Sequence, residues 1–200
     1  MPPPETVLDV RCPRCGGRAT FEEPFEFRTT PDADAAESRP VHRWGGWYVR
    51  EKFPSVIRWK APRGPSQFLQ TGGTPGNSGA YRLRHRGVVR CRECHHVGAH
   101  VLCWARDAYF AWDIRGVRLW AWNADHARAL LHHVESTRRD PSRYPPAYRR
   151  MMIELPAAVL AARNRALVSR KIRHSLRAAG ESADTSVYEP PGTTHERIPE

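Results

Sequence analysis

CPRCGG, residues Cys12 to Gly17, and CRECHHVG, residues Cys91 to Gly98, are the stretches whose reading decides the fold. Each is a Cys-x-x-Cys loop, short enough to aim two sulfurs at one point. Strand-like runs flank both. Val7, Leu8 and Val10 precede the first loop, and Thr20, Phe21, Phe25 and Phe27 follow it. YRLRHRGVVRC leads into the second loop and VGAHVLCWA leads out of it. Gly16 and Gly17 supply the positive φ that a knuckle turn needs, and Gly98 is expected to serve a related turn after the second pair.

Four thiolates about 2.3 Å from one ion complete the tetrahedral shell that structural zinc prefers. Cys12, Cys15, Cys91 and Cys94 are therefore expected to hold one structural Zn²⁺ per chain. The alternative, a thiol redox motif, opens a helix in a βαβ setting, and neither loop does. The usual gap between such pairs is roughly 15–20 residues. Here it is far longer, so the middle of the chain reads as an insertion whose ends return close together. Cys103, in AHVLCWA, is expected in the core, as free cysteine often is. His95, His96 and His100 crowd the second loop and are expected beside the site or exposed, because four thiolates already suffice.

With strand, knuckle, strand in both halves, the two loops resemble the paired knuckles of zinc ribbons, small β domains common in transcription, translation and replication proteins. The resemblance covers Val7 to Phe27 and Arg86 to Trp104. LWAWNADHARALL through LPAAVLAARNRALV is similar to the C-terminal part of uncharacterised bacterial zinc-ribbon proteins. That likeness implies a bacterial protein in which a hairpin followed by helices recurs as a unit.

The fold class expected is α+β: a zinc ribbon with a long β-rich insertion, an added β-hairpin and a C-terminal helical segment. The ribbon domain is placed at 6–122, with the insertion at about 28–85. TTPDADAAESRP, Thr29 to Pro40, is acidic and turn-rich and reads as a loop. VHRWGGWYVREKFPSVIRWKAP reads as a hairpin turning at Gly45-Gly46. Arg63 to Ala80 is rich in Gly, Pro and Ser and reads as a connection. AYFAWDIRGVRLWAW is a second hairpin, turning near Arg115-Gly116.

At Asn123 the period changes to that of a helix. Asn123 is a good N-cap, Asp125 suits the first turn, and Ala127, Leu130, Leu131 and Val134 share one face. A short helix is expected around Arg149 to Leu155 and a longer one from Pro156 to Ala179, stopped by Gly180. Together 123–179 form a helical segment packed on the ribbon. Residues 180–200 are polar and aperiodic and are expected to be disordered.

Lys and Arg number 32 against 21 Asp and Glu, a formal charge of +11, which favours a polyanionic partner, DNA or RNA first among them. Arg163, Arg170, Arg173 and Arg177 are expected to share the outer face of the last helix, and guanidinium rows suit phosphates. Arg165 falls instead within the apolar stripe. In the insertion, Arg43, Arg50, Lys52, Arg58 and Lys60 interleave with Trp44, Trp47, Tyr48 and Trp59, the ingredients of base stacking, although tryptophans in a small β protein also serve as core.

A four-thiolate shell leaves no open position for catalysis. HExxH, GxSxG and the phosphate-binding Gly-Lys-Ser/Thr loop are all missing. The function expected is a non-enzymatic, zinc-binding nucleic-acid-binding accessory in a larger assembly. The alternative is a protein-interaction module built on a structural zinc. A small metal-dependent nuclease is third and requires acids such as Glu22, Glu23, Glu26, Asp107 and Asp113 to gather in space. With no long apolar run and no basic-then-apolar N-terminus, a cytoplasmic protein without a membrane partner is expected.

Overall fold

Two compact units divide the chain between Tyr109 and Phe110, in a computed structural model that describes residues 7–28, 41–61 and 86–188. The expected loop at 29–40, the connection at 63–80 and the tail beyond 188 lie outside the described residues. The fold is mixed α+β, and every strand pairing within its sheets is antiparallel.

The first unit holds seven described strands: β1 (Leu8–Arg11), β2 (Arg18–Glu22), β3 (Phe25–Arg28), β4 (Val41–Trp44), β5 (Trp47–Glu51), β6 (Arg86–Cys91) and β7 (Val97–Val101). Four of them form one sheet in the order β1-β2-β6-β7. The first Cys-x-x-Cys loop joins β1 to β2, and the second joins β6 to β7. Glu22 on β2 pairs with Val88 on β6, so the insertion leaves and re-enters the sheet at neighbouring points. Val10 and Val89 are fully buried, with Ala19 and Phe21 beside them on the same face by strand alternation.

The insertion builds its own sheet, ordered β3-β5-β4, with the expected turn at Gly45 in the left-handed region. Its core is Phe25, Val49, Ile57 and Trp59, closed by Val88 of the first sheet. Trp59 is the hub, with Phe25, Phe27 and Trp44 rings edge-on to it at 5.1, 5.6 and 6.0 Å. Trp59 is therefore core, with Trp44 packed against it partly buried, and the stacking role considered for Trp59 is set aside. Glu51, 1% exposed, accepts from the Trp59 backbone N–H at 2.7 Å and meets His42 Nε2 at 2.9 Å. Burial pushes its carboxyl upward, but these bonds and the charges of His42 and Arg58 hold it below its ordinary value.

The second unit contains β8 (Phe110–Ile114), β9 (Val117–Ala121), α1 (Ala124–Glu135), α2 (Pro146–Ile153), α3 (Ala157–Leu160) and α4 (Arg165–Ala178). The hairpin that the sequence grouped with the ribbon at 6–122 thus belongs with the helices. It turns through Arg115 and Gly116, both at positive φ, and Trp112 Nε1 donates to Ser175 Oγ of α4 at 2.8 Å. Asn123 caps α1 by accepting from the His126 N–H at 2.8 Å. Ala127, Leu130, Leu131 and Val134 are fully buried, as the helical period predicts.

The single long helix expected from Pro156 to Ala179 is broken. Ala161 is extended, and a short 3-10 turn, Ala162–Asn164, follows it. The carbonyls freed at the break are taken by side chains. Buried Asn164 donates through Nδ2 to Ala158 O at 2.7 Å, and Arg139 Nη2 donates to Leu160 O at 2.8 Å. Gly180, at φ 71, ends α4 as expected, with the Glu181 N–H returning to Leu176 O.

Beyond Gly180 the expectation of disorder does not hold as far as Tyr188. Glu181 pairs with Arg128, the Ala183 carbonyl accepts from Arg173, and Tyr188 lies against the rings of His132 and Tyr144 at 5.8 and 5.4 Å. One aromatic in a polar stretch is enough to dock it.

Candidate metal centre

Both knuckles are built by the same backbone device. Cys12 N–H donates to Gly17 O at 2.8 Å, and Cys91 N–H donates to His96 O at 2.9 Å. In each, the residue after the second cysteine is left-handed: Gly16 at φ 76 and His95 at φ 56. The second turn therefore rests on His95, not on Gly98 as expected. Gly98 instead lies in β7, where a Cβ would crowd the imidazole of His96. The knuckles also touch each other. Glu93 folds over Gly17, where any side chain would collide with its carboxylate, and accepts from the Arg18 N–H at 3.2 Å.

The pairing of β2 with β6 brings the four sulfurs together. Cys12 Sγ lies 3.7 Å from Cys94 Sγ, and Cys15 Sγ lies 3.6 Å from Cys91 Sγ. All four are within 4.8 Å of one another, the single cluster of metal-ligating groups among the described residues. Sulfurs bonded tetrahedrally to one ion at about 2.3 Å stand about 3.8 Å apart. The donor set thus fits one metal ion with four protein ligands.

Electrostatics leads to the same reading. Burial pushes the Cys12 thiol upward, but the N–H groups of Cys15 and Arg14 outweigh it and hold it at about 7. Cys15 is pulled down by the Gly17 N–H, yet the crowding of Cys94, burial, Cys91 and Cys12 raises it to about 12. Cys94 is raised as well. Cys12 ionises readily while Cys15 and Cys94 resist, and a bound cation would favour the thiolate form of each.

Of the nearby groups, His100 bonds Asp107 at 2.9 Å, while His95 is exposed. Cys103 is exposed rather than in the core as expected, because it sits in the loop that Asp107 organises. Asp107 is buried and accepts from the Cys103 N–H, His100 and Arg106. Burial raises its pKa, but those bonds more than offset this and hold it below its ordinary value. The same loop reaches β1: Arg11 N–H donates to Asp107 O at 2.8 Å, and Tyr109 N–H donates to Asp9 O at 3.1 Å. Spacing alone gave no sign of this strap.

The cations expected to meet a polyanion divide into two sets. Arg173 is held by Glu135 at 2.7 Å, Lys52 by Glu22 at 3.1 Å, and Arg58 reaches Glu51 at 3.4 Å. Arg50 is half-buried. Arg163, Arg170, Arg177 and Lys60 are exposed and have no carboxylate partner among the described residues. Arg163 stands on the 3-10 turn, not on α4 with the others. Among the described residues, the acids considered for a nuclease form no metal-holding group. Glu22 is tied to Lys52 and Arg90, Asp113 to Arg118, and Asp107 within its own loop.

Among the described residues, no helix is long and apolar enough to cross a membrane. Comparison with protein-family models, with curated proteins and with solved structures finds no match.

Proposed function

We propose that this is a zinc-binding, non-enzymatic nucleic-acid-binding protein that serves as an accessory in a larger assembly. Zinc is the metal that a closed four-thiolate shell between two knuckles suits best, and its role is to hold β1, β2, β6 and β7 together. The observation that carries the partner is that Arg163, Arg170 and Arg177 of the helical unit are exposed with no acidic partner among the described residues. Between Phe110 and Tyr188, Lys and Arg outnumber Asp and Glu two to one. Phosphate contacts from such a surface add affinity and no sequence preference.

The test is the triple change Arg163→Gln, Arg170→Gln, Arg177→Gln, measured on mixed-sequence oligonucleotides over a salt series. Binding should weaken similarly for every sequence, and the log–log salt slope should shrink by up to about three. Arg173→Gln should not reduce that slope further, since Glu135 already holds this side chain. No binding by the wild-type chain at low salt refutes the proposal and leaves the interaction-module reading.

A further inference from the structure

The two knuckle hairpins are alike in their hydrogen bonding and unlike at their outer edges. In an antiparallel ladder the residues alternate between facing the partner strand and facing away. With Cys12 bonded to Gly17 across the first turn, that alternation aims the backbone groups of Asp9 and Arg11 outward. Both are taken up by the strap through Asp107 and Tyr109. With Cys91 bonded to His96 across the second turn, the same rule aims Val97, Ala99 and Val101 outward. No strap meets them among the described residues.

β7 also lacks the guards that edge strands carry. Charge, proline and bulges keep an edge from pairing, and VGAHV has no Lys, Arg, Asp, Glu or Pro. Each of the other eight described strands carries at least one charged residue. The side chains β7 presents on one face of the sheet are apolar: Val97 is 49% and Val101 58% exposed, with Ala99 between them.

We infer that β7 is the interface with a second copy of this chain, pairing antiparallel with β7 of that copy about a two-fold axis through Ala99. The strand is self-complementary in that register. Val97 falls opposite Val101 of the second copy, Ala99 opposite Ala99, and the three outward residues exchange N–H and C=O groups. An isologous contact requires this self-match. Charge allows it as well. Of the charges on β6 and β7, the nearest like pair, Arg90 and the second copy's Arg86, lies three strand spacings apart, about 14 Å. That exceeds a Debye length of about 8 Å at physiological salt.

Sedimentation of the nuclease-treated, zinc-loaded full chain should give twice the chain mass of 22.8 kDa. Val97→Lys with Val101→Lys should return a folded monomer of unchanged zinc content whose thermal midpoint no longer depends on protein concentration. Ala99→Pro should do the same, since it removes an N–H that the β6–β7 ladder does not use. A second measurement needs no substitution: exchange of the Val97, Ala99 and Val101 amides should slow as protein concentration rises. A wild-type chain that stays monomeric at every soluble concentration overturns the inference. So does a dimer that survives both changes, or amide exchange at these three residues that ignores concentration.

Discussion

Gly16 and His95 hold the same place in the two knuckles and the same left-handed backbone, yet only one has the residue suited to it. A side chain in that region costs roughly 1–2 kcal/mol, and histidine tolerates it better than most. Gly16→Ala should therefore lower the stability of the metal-loaded first unit by about 1 kcal/mol. His95→Gly should lower it not at all, relief of strain offsetting the added freedom of the unfolded chain. Chemical denaturation of the two variants side by side checks the asymmetry. Titration supplies a second contrast. Asp107 and Glu51 sit below their ordinary 3.8 and 4.5, so their contribution is complete above those values and is lost as pH falls through the lower folded-state values. His126 is buried and stays neutral down to about 3, while the unfolded chain takes up a proton below its ordinary 6.5. Stability therefore declines from about pH 6.5 downward, by up to about 1.4 kcal/mol per pH unit for this group. The second unit should weaken first between pH 7 and pH 5, and His126→Phe should flatten that slope in urea titrations.

At the scale of elements, the C-terminal stretch reverses an expectation. A truncation at Gly180 removes Glu181 from Arg128 and Tyr188 from the rings of His132 and Tyr144, so the thermal midpoint should drop measurably. Tyr188→Ala alone should reproduce part of the drop, on the order of 1 kcal/mol from the ring contacts. The hairpins, α1 with its Asn123 cap and the Gly180 stop were legible because each rests on local chemistry that a few neighbouring residues supply. The break at Ala161 was not legible. AAVLAARNRALV has helical composition throughout, and a group that satisfies the carbonyl freed at the break, Arg139, lies more than twenty positions earlier in the chain. Tyr188 was missed for the same reason, since its partners are on α1 and in the turn before α2. His95 could have been found by laying CRECHH over CPRCGG, which places it on Gly16.

For the molecule as a whole, the four clustered cysteines were readable from spacing alone, and the pairing of β2 with β6 shows why a long insertion does not separate them. Removing the metal should undo the first sheet and spare the second unit. A chelator should remove any metal held by the four cysteines and the amide protection of β1, β2, β6 and β7 while α1 and α4 keep theirs. Cys12→Ser with Cys91→Ser should behave as the chelated protein does. Loss of protection in both units together would refute this prediction. The charges were harder to read, because a row of arginines in sequence does not say which have carboxylates facing them. Glu135 and Glu22, distant in the chain, decided that for Arg173 and Lys52.

The pairing of Cys15 with Cys91, 76 positions apart, also sets a schedule. At about 5–20 residues per second of synthesis, the first knuckle leaves the ribosome roughly 4 to 15 seconds before its partner exists. Through that interval the nascent chain carries two thiols of a half-built site, open to oxidation or to capture of a metal in a two-sulfur clip. The insertion sheet, whose strands are translated within the gap, can begin to close on Phe25 and Trp59 meanwhile. Only Val88, arriving just ahead of Cys91, completes that core, so the last piece of the insertion's packing and the last half of the metal shell are delivered by the same strand.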